Sequence, residues 1–161
     1  MRKIFILILL SFIFTSIQAK EPFLRHTNIL VANGKNVLLL FEKKTCPYCK
    51  KIKNDIKNNK TLYRLLKNNF NVYSIPLDEY HEYRMGDKNP LKKTNTTSLK
   101  MRFFIKATPQ IIMFDKKWNK IIQIPGYVKP DTMKIFVNYI VKGIYKKEDL
   151  KIYLIKMGLV N

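Results

Sequence analysis

The stretch Phe41-Glu42-Lys43-Lys44-Thr45-Cys46-Pro47-Tyr48-Cys49-Lys50 contains both cysteines of the chain, two residues apart. An apolar run, Val37-Leu38-Leu39-Leu40-Phe41, leads into it, and a Lys-rich segment with helical spacing follows. A strand, then Cys-x-x-Cys, then a helix is the setting in which this motif reads as a dithiol/disulfide pair. Working outward, residues 37–43 are expected to form a central strand, because an unbroken apolar run suits a strand buried on both faces. A helix is expected from near Cys46, since Cys49, Ile52 and Ile56 recur at i, i+3 and i+7. Lys50, Lys51, Lys53 and Lys57 fall off that stripe.

The chemistry follows from this placement. A cysteine nucleophile is a thiolate. The first turn of a helix offers unpaired N–H groups and partial positive charge that stabilise the anion. Cys46 stands at that position, and Lys43 and Lys44 are expected to add positive charge. Pro47 fits the first helical turn, where its missing N–H is not needed. Cys49, one turn on, is within reach of Cys46. The two therefore take unequal roles, with Cys46 exchanging with a partner sulfur and Cys49 resolving the mixed disulfide. The alternative of an inert structural disulfide is weaker, because so small a loop stabilises little.

Further along, His26–Asn33 reads as a helix and Gly34-Lys35-Asn36 as a turn. Asn58-Asn59 interrupts the helix after the cysteines, and Leu62, Leu65 and Leu66 mark a second one. Residues 71–77 read as a strand, and residues 78–96 have no clear period. A helix over Ser98–Ile105 is capped by Thr97 or Ser98. Strands follow at Gln110–Phe114 and Ile121–Ile124, the second antiparallel to the first. Asp131 caps a helix whose Met133, Phe136, Val137, Ile140 and Val141 form one apolar face, with Gly143 as its stop. A last helix over Lys147–Met157 turns Leu150, Tyr153, Leu154 and Met157 inward. The order β–α–β–α–β–β–α, with an extra helix at each end, implies an α/β fold with a mixed central sheet covered by helices on both faces.

Composition sets the class. The chain has 161 residues, enough for one domain with a real core. It carries 31 basic and 11 acidic residues, for a formal charge of +20. Such a charge suits nucleic acid, an anionic membrane face or acidic proteins. The lysines are scattered and no nucleic-acid signature accompanies them, so a solvated surface is the simpler reading and no nucleic-acid partner is expected. Residues 1–19 read as a secretory signal peptide: Arg2 and Lys3, an apolar core from Ile4 to Phe14 interrupted by Ser11, then Ala19 as cleavage point. The domain would then span residues 20–161. The alternative is an uncleaved anchor over residues 4–17, short for a span of roughly 20 residues. Export places the cysteines in an oxidising compartment such as a periplasm.

Cys46-Pro47-Tyr48-Cys49 after a strand, together with Thr108-Pro109 before a later strand, resembles the thioredoxin superfamily over roughly residues 25–145. With Phe41-Glu42, Ala107-Thr108-Pro109 and Pro125-Gly126-Tyr127 the sequence is most similar to exported, SoxW-like thioredoxin-related proteins. The resemblance implies a thioredoxin-like fold with an additional C-terminal helix, a redox-active Cys46–Cys49 disulfide, and a cis Thr108–Pro109 bond. Thr108 and Pro109 would bind an extended substrate segment. It also implies a thiol–disulfide oxidoreductase without cofactor or metal, acting on protein thiols and disulfides, with a membrane electron donor or acceptor. Reduction is the implied direction. An isomerase would need a dimerisation module, which is not seen before the domain. The sequence departs from thioredoxins at Leu40, where they carry a buried acid. Glu42, on the same side of the strand, is either the substitute proton acceptor for Cys49 or a solvated strand-end carboxylate. His26 and His81, far apart in sequence, read as ordinary surface residues. Two other functions stand beside the enzyme: a copper-binding module using both thiolates, and a protein that only docks acidic partners.

Overall fold

The computed structural model describes residues 23–160 apart from Lys88. The leader over residues 1–19, the anchor alternative over residues 4–17 and Pro22 lie outside the described residues. The elements run β1 (Ile29–Leu30), β2 (Asn36–Glu42), α1 (Pro47–Asn58), α2 (Lys60–Asn69), β3 (Phe70–Pro76), β4 (Glu82–Met85), β5 (Lys92–Asn95), α3 (Thr96–Arg102), β6 (Gln110–Phe114), β7 (Lys120–Pro125), α4 (Pro130–Val141) and α5 (Leu150–Lys156).

Strand β2 is the centre of a four-stranded sheet of order β3-β2-β6-β7. It pairs parallel to β3, with Leu39 opposite Tyr73, and antiparallel to β6, with Leu39 opposite Ile112. All seven of its residues are buried. Because side chains alternate along a strand, Leu38 and Leu40 join Ile52 and Ile56 of α1, Leu62 and Leu66 of α2, and Met133 and Val137 of α4 in one core. Val37, Leu39 and Phe41 join Leu99, Phe103 and Ile105 in the other. That second face is covered by α3 and a small sheet of order β1-β4-β5. The expected mixed sheet, covered on both faces, is present, as is the additional C-terminal helix.

One residue joins the first two helices. The Asn59 N–H bonds to the Asp55 carbonyl, ending α1, and its side-chain oxygen accepts from the Leu62 N–H at 3.0 Å, starting α2.

Several expectations need correction. His26–Asn33 is not a helix. Arg25 bridges to Tyr73, and Ile29 and Leu30 pair parallel with Arg84 and Met85. Tertiary partners decide this segment. The Tyr73 hydroxyl accepts from the Val31 N–H at 3.1 Å and donates to the Val31 carbonyl at 2.8 Å, and the Asn71 amide donates to the Val31 and Ala32 carbonyls. Only the C-terminal extra helix is present among the described residues.

Residues 78–96 contain the β4–β5 hairpin, with Glu82 opposite Asn95. Its signal is a short alternation in which Tyr83 and Met85 point inward and Glu82 and Arg84 outward. Helix α3 starts earlier than expected, because Asn95 accepts the Ser98 N–H and takes the cap from Thr97 or Ser98. It stops at Arg102, before Phe104 with its φ of 51°. Asp131 is not a cap. Lys129 occupies that position without a side-chain bond, and Asp131 in the first turn pairs with Lys134 at 2.7 Å. Gly143, with φ of 68°, follows the end of α4 as expected. Helix α5 is capped by Asp149 and buries Tyr153, which stacks on Tyr139 at 5.1 Å. Met157 is 45% exposed rather than inward.

Tyr73→Phe removes the hydroxyl that pairs the Val31 N–H and leaves the Val31 carbonyl to the Asn71 amide alone. Leaving one half-buried backbone N–H unpaired costs about 1 kcal/mol, the low end of the range for an unsatisfied donor. The urea midpoint should fall accordingly with an unchanged slope, and an unaltered midpoint would show that the lead-in segment is not held by this contact.

Candidate active site

The site lies where β2 ends. Cys46 is the N-cap of α1, with φ −84° and ψ 106°, and Pro47 follows at the first helical position. The Cys46 Sγ accepts the Cys49 N–H at 3.1 Å and is bonded to the Cys49 Sγ at 2.09 Å. Its sulfur therefore occupies the place a capping oxygen takes in other helices. No acidic residue stands in the first turn of α1 to oppose a developing thiolate. Cys46 is 8% exposed and Cys49 1%. The two sulfurs are thus unequal in access, the more accessible one being at the helix start.

Local charge is less positive than expected from Lys43 and Lys44. The Lys44 ammonium pairs with Glu79, and the Lys44 N–H donates to Asp78 Oδ2 at 2.8 Å. The hydrogen bond and charge of Glu79 hold the Lys44 ammonium above its ordinary pKa. The Lys44 contact, and then His81, hold the Glu79 carboxyl below its own. These contacts tie the loop before Cys46 to the segment after β3.

The Thr108–Pro109 peptide bond is cis, and so is Asn89–Pro90, which the sequence did not single out. Gln110 pairs with Phe41 at the start of β6, so Thr108 and Pro109 lie at the same end of the sheet as the cysteines. Pro109 is buried and Thr108 half-buried. The Pro109 carbonyl accepts the Gly126 N–H at 2.8 Å, joining this loop to the turn after β7. Gly126 has φ of 82°, a conformation glycine takes without strain.

Glu42 is not a solvated carboxylate. It is 6% exposed, at the end of β2 on the side of Leu38 and Leu40. The Ser74 hydroxyl donates to its Oε1, and the Lys53 ammonium lies 2.6 Å from its Oε2. A buried carboxylate is tolerable only when paired and hydrogen-bonded in this way. Neither Ser74 nor Lys53 was singled out by sequence. Lys53 is off the buried stripe of α1, as expected, yet is long enough to reach under the helix.

Tyr48 and Tyr127 lie with ring centroids 6.0 Å apart. The Lys51 ammonium is 4.9 Å from the Tyr127 ring centroid, and the Tyr127 hydroxyl donates to Asp55 Oδ2, which also pairs with Lys51 at 3.0 Å. Tyr127 entered the sequence reading only through Pro125-Gly126-Tyr127. His26 and His81 line one cleft of about 310 Å³ with Glu79 and Tyr83, and neither cysteine lines it. Among the described residues no group of three or more His, Cys, Asp or Glu side chains is arranged to hold a metal.

A mixed sheet around a buried strand, with a Cys-x-x-Cys disulfide at a helix start, defines the thioredoxin fold. The chain belongs to the thioredoxin-like domain family, whose pattern matches residues 25–141. It is similar to a thioredoxin-fold protein from Helicobacter pylori, at 29% identity and a TM-score of 0.74, over 84% of this chain and 86% of that one. It is also similar in fold to a thioredoxin from Thermus thermophilus, at 18% identity and a TM-score of 0.54, over 77% and 95% of the two chains. Comparison with curated proteins gives no match. A disulfide-forming cysteine pair in this fold supports thiol–disulfide oxidoreductase activity, with protein thiols and disulfides as the general class of partner.

The bond from Tyr127, then the Lys51 pairing, holds the Asp55 carboxyl below its ordinary pKa. A lowered folded-state value stabilises the fold above the unfolded-state pKa, and this is lost as pH falls through the lowered value. Tyr127→Phe should move the Asp55 titration, followed by carbon-detected NMR, back towards the ordinary carboxylate range. An unmoved titration would assign the shift to Lys51.

Proposed function

We propose that this protein is an exported, SoxW-like thiol–disulfide oxidoreductase that reduces disulfides of partner proteins. The observation that carries the reading is the placement of Cys46, at once the cap of α1 and one half of the disulfide. In the reduced protein the Cys46 thiolate attacks one sulfur of a partner disulfide. A mixed disulfide forms and the first partner thiolate leaves. Cys49, deprotonated, then attacks the Cys46 Sγ. The Cys46–Cys49 disulfide forms, the second partner thiolate leaves, and two electrons have passed to the partner.

Glu42 is the proposed acceptor of the Cys49 proton, a role supported by its burial and by the bonds from Ser74 and Lys53 that hold it in one orientation. Thr108 and Pro109 are proposed to present backbone to the partner segment. A dithiol donor at the membrane would return two electrons to the pair. The periplasmic location rests on the leader over residues 1–19, and the reductive direction on the SoxW-like resemblance.

Cys49→Ser should accumulate mixed disulfides on Cys46, identifiable by non-reducing electrophoresis and mass spectrometry, while Cys46→Ser should accumulate none and lose insulin reduction. Absence of any trapped species across several redox conditions would contradict the enzymatic reading. The potential of the pair should lie near about −270 mV, as for a reductant, and a value near about −120 mV would reverse the direction.

Positioned proton transfer contributes roughly 10²–10⁴-fold to a rate. Glu42→Gln should therefore slow resolution of the mixed disulfide by about 10²-fold or more and flatten its pH dependence. A slowed rate with an unchanged pH profile would make Glu42 purely structural.

A further inference from the structure

We infer that the face formed by α1 and α2 is a docking surface for an anionic lipid bilayer. A groove of about 1050 Å³ runs along these helices, lined by cations and by Phe23, Leu24 and Tyr63. Lys53 and Lys57 are four residues apart on α1, and Lys60, Arg64 and Lys67 recur at i, i+4 and i+7 on α2, so each helix presents one cationic stripe. All five line the groove, and among the described residues no acidic one does. Lys53 is paired with Glu42. The other four form no ion pair with a described acid, whereas Lys44, Lys51, Lys134 and Lys156 elsewhere do.

Helix physics accounts for only part of the charge. Lys57 and Lys67 lie in last turns, where the helix dipole favours a cation. Lys60 opens α2, whose first turn contains no acid, and there the dipole disfavours a cation. An external anion accounts for that placement.

The apolar part of the groove favours a bilayer over a soluble acidic protein. Phe23 and Tyr63 lie tilted to one another with ring centroids 5.6 Å apart; both are half-buried, and Phe23 packs against the edge of the core. Aromatic rings interleaved with cations suit a headgroup interface, where rings sit among headgroups and cations meet lipid phosphates. Among the described residues no helix is long and apolar enough to cross a membrane, so this domain meets lipid through a surface. Phe23 is also where the chain enters the domain, nine residues after Phe14, the end of the apolar stretch Ile4–Phe14. Nine residues reach at most about 30 Å. Where residues 4–17 stay attached as an anchor, this groove is held within that reach of the headgroups.

Docked in this way, the N-terminal end of α1 stands away from the contact. Cys46 precedes Lys53, the nearest groove cation on α1, by seven residues, or about 10 Å along the helix axis. The disulfide stays open to a partner while the C-terminal half of α1 and α2 face lipid.

The test is sedimentation of the full chain with vesicles of phosphatidylcholine alone or mixed with phosphatidylglycerol. Binding to neutral vesicles reports apolar contacts, whether from the apolar stretch or from the groove, so the readout is the increment due to the anionic lipid. That increment should be about tenfold or more and should fall as salt is raised. Combined Lys57→Glu, Lys60→Glu, Arg64→Glu and Lys67→Glu should abolish it. Lys92→Glu, Lys93→Glu, Lys100→Glu and Arg102→Glu, on the opposite side of the sheet, should leave it within about twofold. Matching far-UV circular dichroism and melting would confirm folding, and the same four groove positions changed to Gln provide a milder set. No anionic increment in the parent protein, or equal loss in both charge-reversed sets, would overturn the inference. So would tighter binding of soluble polyglutamate than of mixed vesicles, which would give the face to an acidic protein.

Discussion

A strand buried on both faces must also be paired along both edges, because its N–H and carbonyl groups have no water to turn to. Strand β2 meets that condition with β3 on one side and β6 on the other. Its side chains then divide the molecule into two cores, one under α1, α2 and α4 and one under α3 and the small sheet. The strand ends where these supports end, and the chain turns directly into α1. The cysteine pair therefore follows a strand that is buried along its whole length and paired on both edges.

Around that mounting, each neighbouring loop is fastened by a different bond. The segment after β3 reaches the loop before Cys46 through Asp78 and Glu79. The cis-Pro109 loop is tied to Gly126, and Tyr127 is tied back to α1 through Asp55 and packs near Tyr48. Beneath them Glu42 is enclosed by Ser74 and Lys53. Positioning by several separate elements suits a reaction in which sulfur atoms must line up in succession.

The parts legible in sequence were those governed by local pattern. The apolar run of β2, the i, i+3, i+7 stripe of α1 and the break at Asn58-Asn59 each state their structure over a few residues. The lead-in from His26 was not legible, because its conformation is decided by Asn71 and Tyr73, some forty residues away. The β4–β5 hairpin was missed for a different reason: four residues of alternation are too few to stand out beside turn-forming neighbours. At the site the cysteines and Thr108-Pro109 could be picked out, and Glu42 could be nominated. Its enclosure could not be foreseen, because Ser74 comes from a neighbouring strand and Lys53 reaches it from a helix position that pattern alone assigns to solvent. The pairing of Lys44 with Glu79 was equally invisible, and it changes the charge beside Cys46.

The joint at Asn59 has a consequence for how this protein can vary. One residue closes α1 and opens α2, so no spare link separates the two helices. Each residue added to a helix rotates its remaining turns by about 100°. An insertion here would swing Leu62 and Leu66 out of the core and carry Lys60, Arg64 and Lys67 round with them, while a deletion would remove the cap both helices share. Substitutions along the exposed sides of α1 and α2 can be absorbed one at a time, but the length of the connection is locked, and with it the angle between the cationic stripes.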